Sequence, residues 1–270
     1  MPISYRDLTT LEEFAAVVQL ERDIWGPAYD DVVPVPILAV SVHSGGILIG
    51  AFDGDRMVGF VYSLPAIKDG QPTQWSHMAG VLPEHQSAGL GYQLKLLQRE
   101  RALNAGLDLV QWTYDPLQAM NAHLNFAKLG VVAEEYAINI YGMSASPLHG
   151  GNPTDRFVAD WWIRKPRVAQ RLAGPAPFAP VLTVEPALRV QAAAKWFEPA
   201  AADLSIDAKR ISVEIPTGFT QLLSAEPDLA LAWRMATREV FTTYFGRGYH
   251  AAEFFLDRPS RKGAYLLVLA

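Results

Sequence analysis

The chain has 270 residues, half of them hydrophobic and 19% charged, with a mean hydropathy of +0.08. It can therefore bury a full core as one large domain or two small ones. A formal net charge of -5 and a pI near 5.7 exclude the basic footprint of a protein whose main partner is a nucleic-acid backbone, and the absence of cysteine excludes disulfides, thiolate zinc sites and a cysteine nucleophile.

The opening segment MPISYRDLTTLEEF has an acidic flank and no apolar run of signal-peptide type, and no window reaches the ~18 consecutive apolar residues of a membrane span. A cytoplasmic protein without membrane contact is the expectation. The first helix is expected after Thr9 or Thr10, because Thr10 and Glu13 form a capping-box pair. Leu11, Phe14, Val17, Val18 and Glu21 then fall at helical spacing, and Trp25-Gly26-Pro27 ends the run. A second short helix is expected over Pro34 to His43. GILIGAFDGD and RMVGFVYSLP read as a hairpin joined at Asp53-Gly54-Asp55, by Asp-Gly turn chemistry. TQWSHMAGVLP is a third strand ending at Pro83. A glycine-rich turn and a helix over Leu90 to Asn104 follow, then the strand DLVQWTY and a helix over Ala119 to Leu129 stopped by Gly130. VVAEEYAINIYG and RFVADWWI are two further strands.

After Ile163 the texture changes to a Pro- and Ala-rich stretch without clear period, read as a linker over 164–204. The tail resumes with the strand RISVEIP, a helix over Asp228 to Phe245, and two strands, EFFLD and AYLLVLA. No internal repeat is visible in the sequence. The domains expected are thus 1–163 and 205–270, joined by that linker, in an α+β fold.

The most informative stretch is Gln86-Ser87-Ala88-Gly89-Leu90-Gly91, between a strand and a helix. A helix N-terminus has unpaired N–H groups and partial positive charge, and glycine lets an anion approach the backbone closely. The plain alternative is a tight turn in which glycine supplies a positive φ. A P-loop is a poor match, because Tyr92-Gln93 stands where Lys-Ser/Thr is required. A dinucleotide fingerprint fails too, with Leu94 at the third glycine position.

The segment from Val81 to Gly91, with Gln86, Gly89 and Gly91 matching a Gln/Arg-x-x-Gly-x-Gly/Ala pattern after a strand, resembles motif A of the GNAT superfamily of N-acyltransferases. The order of elements over residues 1 to 163 is similar as well, and Asn121 to Val131 resembles the family's second motif. The resemblance implies a mixed, mostly antiparallel sheet, splayed where acyl-coenzyme A binds. It implies that Val81 and Leu82 contact pantetheine through backbone groups, and that Gln86, Ser87, Ala88, Gly89, Leu90 and Gly91 hold the phosphates. The co-substrate implied is acetyl-CoA or succinyl-CoA, with no metal. The partner implied is a small-molecule amine, with an amino acid as one candidate, and a homodimer is common in the superfamily.

Amine acylation needs an uncharged amine, donors for an oxyanion and a proton for the leaving thiolate. The family often gives the last task to a Tyr, and here that position is Phe126, which has no proton to give. His77, on the motif-A strand, is a candidate base or an ordinary strand histidine. Asp115, in TYDP, is a candidate for holding the amine or a helix N-cap before Pro116. His123, three residues before Phe126, is a candidate for reaching the thioester or a packed histidine. Asn121 is a candidate pantetheine partner or a turn cap. In the tail, Arg234 and Arg238 lie one turn apart. They read either as a solvated pair or as a binding site for a substrate carboxylate. SHMAGVLPEHQ, TYDPLQAMNAHLN, NIYG and PTDRF resemble a bacterial subgroup with a C-terminal extension. Some of its relatives transfer succinyl groups to amino acids, which the resemblance extends to this chain as an expectation. A non-catalytic acyl-CoA-binding or regulatory module is the competing function, favoured by Phe126.

Overall fold

Thr10 begins the first helix as its residue type dictates. Its hydroxyl accepts from the Glu13 N–H while the Glu13 carboxylate accepts from the Thr10 N–H, so the capping box closes in both directions. The computed structural model in which this is seen describes residues 2–27, 29–86, 89–142, 151–174, 184–193 and 195–270. The chain divides into two compact units. The first holds Met1–Trp112 and Trp162–Arg164, and the second holds Thr113–Trp161 and Lys165–Ala270.

In the first unit, strand β1 (Ser4–Asp7) precedes helices α1 (Leu11–Trp25) and α2 (Val35–His43), then β2 (Ile47–Asp53), β3 (Arg56–Lys68) and β4 (Gln71–Val81). A 3-10 turn, Pro83–His85, leads to α3 (Leu90–Asn104) and β5 (Leu109–Tyr114). The strands lie in chain order, antiparallel from β1 to β4 and parallel from β4 to β5. The Asp53-Gly54-Asp55 turn forms with Gly54 at φ 60°. A second such turn, Asp69-Gly70, has φ 51° and 75° and joins β3 to β4. The mixed α/β class expected from the sequence is the class observed.

Two features of β4 matter for function. It pairs with β5 only at Gln74↔Val110 and Trp75↔Gln111, so from Ser76 onward the two parallel strands part. Opposite β3 the register slips between Tyr62↔Met78 and Ser63↔Ser76, which leaves His77 as the extra residue of a β-bulge.

In the second unit, a short α4 (Ala119–Ala122) runs on into a π-helical stretch, His123–Leu129. β6 (Val132–Ala137) and β7 (Arg156–Trp162) follow. Gly130 ends the helix at φ 77°, with Arg171 Cγ and Val168 Cα 3.0 and 3.3 Å from where a Cβ would stand. Next come α5 (Pro166–Ala173), β8 (Glu185–Leu188), β9 (Val190–Ala192), β10 (Phe197–Pro199) and β11 (Arg210–Pro216). The chain closes with α6 (Phe219–Ala225), α7 (Pro227–Gly246), β12 (Tyr249–Asp257) and β13 (Lys262–Leu269). The strand order is β7-β6-β12-β13-β11-β8, and β9 and β10 form a separate hairpin. Helix–strand–strand thus occurs twice, ending in β6–β7 and again in β12–β13, and the two hairpins meet antiparallel at Ala133↔Ala251.

This differs from the expected division. The boundary falls after Trp112 instead of after Ile163, and the segment expected as a linker contributes α5 and β8 to β10. The reason is a shared aromatic core. Phe157 of β7 packs on Phe241 of α7 at 4.6 Å and on Tyr265 of β13 at 5.3 Å, and Phe126 packs on Tyr265 at 5.7 Å. Arg167 and Arg171 of α5 both bind Glu253 of β12. The tail completes the core that β6 and β7 begin.

Candidate functional site

The glycine turn leads directly from the 3-10 turn into α3. Gly89 is the residue preceding α3 and takes φ 79°, which glycine adopts without strain. Among the described residues no side chain caps α3, so the first N–H groups of the helix have no side-chain acceptor there. A Cβ at Gly89 or at Gly91 would meet no atom within 4 Å, so both α-carbons face open space. Leu90 is buried and anchors the helix start. The Gln86 side chain folds back, its Nε2 donating to the Val81 carbonyl at 3.1 Å. Leu82 differs from the expectation of free backbone groups. Its N–H donates to Val58 O at 2.9 Å and its carbonyl accepts from His85 and Gln86. Ser87 and Ala88 lie outside the described residues.

Lys95, one turn further along α3, is buried where β4 and β5 part. Its Nζ donates to Ser76 Oγ at 2.8 Å and to Gln98 Oε1 at 3.2 Å, and stands 3.8 Å from the centre of the Trp112 ring. Burial pulls its ammonium down to about 7. His77 is exposed as a residue, yet its ring stands edge-on to Tyr62 at 6.0 Å, and desolvation holds the imidazole below its ordinary pKa. The lowered direction makes His77 neutral at pH 7, as a base must be.

Sequence reasoning placed Glu21 on the apolar stripe of α1 without giving it a role. It is 0% exposed, its Oε2 accepts from the Val33 N–H at 3.0 Å, and its Oε1 has no partner among the described residues. An acid on an otherwise apolar stripe was the available signal.

The second unit presents a different picture. Both Asp115 oxygens accept from Arg234, at 2.8 and 2.7 Å, and Oδ1 also accepts from the Leu117 N–H at 2.9 Å. Asp115 is not the helix N-cap, which is Gln118; its Oδ1 instead closes a turn onto Leu117. Arg234 is 1% exposed. Arg238 binds both oxygens of Asp155, at 2.7 and 2.8 Å, and Asp155 also accepts from the Tyr136 hydroxyl and the Asn139 N–H. The carboxylates held by this arginine pair are therefore the chain's own. His123 begins the π-helical stretch with Nδ1 buried and without a partner among the described residues, and desolvation lowers its pKa. Asn121 is exposed. Phe126 is fully buried between Tyr114 and Tyr265, with no hydroxyl of its own to offer. Among the described residues no cluster of acids and histidines could hold a metal ion, and no helix is long and apolar enough to cross a membrane.

No protein-family model and no curated protein matches the sequence. Among solved structures the chain is similar to N-acetyltransferases. One is the ribosomal-protein-S18-alanine N-acetyltransferase from Escherichia coli, at 15% identity, covering 61% of this chain and 96% of that one, with a TM-score of 0.49. Another is an acetyltransferase of the GNAT family from Streptococcus pneumoniae, at 15% identity, covering 59% and 98%, with a TM-score of 0.47. A third is the PaiA N-acetyltransferase from Thermoplasma acidophilum in complex with coenzyme A, at 14%, covering 59% and 98%, with a TM-score of 0.42.

Proposed function

We propose that the chain is an acyl-CoA-dependent N-acyltransferase of the GNAT type, acting on a small-molecule amine. The observation that carries this reading is β4 parting from β5 after Trp75↔Gln111 and leading into an uncapped, glycine-walled helix start. The parted strand edge suits an amide-bearing pantetheine arm, which can add main-chain hydrogen bonds to β4. The N–H groups of Leu90, Gly91 and Tyr92 suit the pyrophosphate.

In this reading the amine loses a proton to neutral His77 and attacks the thioester carbonyl directly. The tetrahedral intermediate then expels the coenzyme A thiolate. Phe126 cannot protonate that thiolate, so its proton comes from water. With Arg234 and Arg238 bound to aspartates, a succinyl donor and an amino acid acceptor rest on the subgroup resemblance alone. Acetyl-CoA and a primary amine remain the simplest pair.

The test is release of free thiol from acetyl-CoA and succinyl-CoA over a panel of primary amines. Amine-dependent release is the expected result. Phe126 favours a second reading, a module that binds acyl-CoA without turnover. Tight coenzyme A binding without release for any amine would select it, and absence of binding would remove both.

A further inference from the structure

Glu21 is a buried carboxylate that the fold leaves half satisfied. One oxygen holds the Val33 N–H, the other holds nothing described, and no lysine or arginine forms an ion pair with it among the described residues. An unpaired carboxylate out of water is costly, and here burial pushes its pKa up to about 7, with Arg22 beside it in the chain only partly opposing the rise. The Val33 N–H accounts for one oxygen of this acid, and nothing among the described residues accounts for the other.

Its surroundings suggest the reason. Trp25 lies one turn further along the same helix, and Tyr29 stands 5.1 Å from the Trp25 ring. Burial raises the phenol pKa of both Tyr29 and Tyr62, and the Glu21 charge adds to the rise at each, after Asp31 at Tyr29. Trp25 and Tyr29 are half-buried, which leaves this aromatic wall open to solvent on one side. On the other side Tyr62 touches the His77 ring. A half-satisfied carboxylate one helical turn from a Trp–Tyr ring pair is the chemistry that receives an organic ammonium ion, through a charge-assisted hydrogen bond and cation–π attraction.

We infer that Glu21, with Trp25, Tyr29 and Tyr62, is a recognition site for a cationic primary amine. Glu21 supplies the missing cation's partner, the rings select an alkyl ammonium over a neutral group, and the Tyr62 wall delivers the nitrogen beside His77. The role of this amine as acyl acceptor rests on the acyltransferase reading above, but the binding site does not.

The experiment therefore measures binding without turnover. The full chain, without coenzyme A, is titrated with n-butylammonium chloride and with n-butanol, followed by calorimetry or ligand-observed NMR. Wild type is expected to bind the ammonium about tenfold or more tightly than the alcohol, the worth of one hydrogen bond to a charged group. Glu21→Gln keeps an acceptor for the Val33 N–H and removes the charge, so it should lose that preference. Equal binding of cation and alcohol by wild type, or full retention of the preference in a folded Glu21→Gln, would overturn the assignment. Should Glu21→Gln fail to fold, the wild-type comparison decides alone. Ammonium binding without thiol release would overturn acyl transfer and leave the site standing.

Discussion

The two units treat their polar groups in opposite ways. In the second, charges are spent on one another: Asp115 on Arg234, Asp155 on Arg238, and Glu253 on Arg167 and Arg171. In the first, among the described residues, the N–H groups opening α3 have no side-chain cap, the Glu21 Oε1 has no partner, and His77 sits in a bulge facing solvent. Both regions hold residue types suited to an anion or a cation. What separates a binding site from a structural tie is the bonding capacity that remains after the fold has paired its own groups.

Breaking a tie should cost stability, and breaking a site should cost function. The largest effect is expected at Arg234, because its loss leaves Asp115 without its partner in a largely buried place. Arg234→Ala should destabilise the chain by about 3–5 kcal/mol in urea denaturation, and replacing both partners by apolar residues should cost less. An Arg234→Ala of wild-type stability that only raises the KM for a carboxylate substrate would erase the contrast. His77→Ala comes next, with kcat reduced ~100-fold and coenzyme A affinity unchanged. Since desolvation lowers the His77 pKa, the acid limb of the kcat/KM profile should lie below 6.5, with the rate rising as His77 loses its proton and level above.

Glu21→Gln should move stability the other way. The folded chain keeps a proton on Glu21 up to about 7, against 4.5 for an ordinary glutamate, so the residue costs stability progressively as pH rises through that window. Above pH 7 the glutamine variant should therefore be more stable than wild type, by roughly 1–3 kcal/mol. A lower melting temperature at pH 8 would show that Glu21 is a structural tie after all.

Much of the first unit was legible because its signals are local. The Thr10 capping box, the Asp53-Gly54 turn and the Gly89 start of α3 each specify geometry within a few residues. The Asp69-Gly70 turn carries the same signal, and around it β3 and β4 extend beyond the runs expected from their apolar residues. The second unit was less legible because its determinants are distant in sequence. Arg234 meets Asp115 across 119 positions and Arg238 meets Asp155 across 83, pairings that helix spacing cannot show. The strands β8 to β10 are three or four residues long and carry Pro186 and Pro199, too short for a period to register. The bulge at His77 follows from register between strands, which one strand alone does not specify.

The central claim is that the start of α3 is open because a phosphate group belongs there. Gly91→Asp tests it most directly, since Gly91 needs no positive φ and its missing Cβ faces empty space. An acid in the first turn also favours the helix, by about 0.3–1 kcal/mol. Calorimetric titration of this variant with coenzyme A, beside a thermal melt, should show a melting temperature equal to or above wild type and an affinity reduced at least about tenfold, the worth of one lost charge-assisted contact. A folded variant that binds coenzyme A as wild type does would contradict the account.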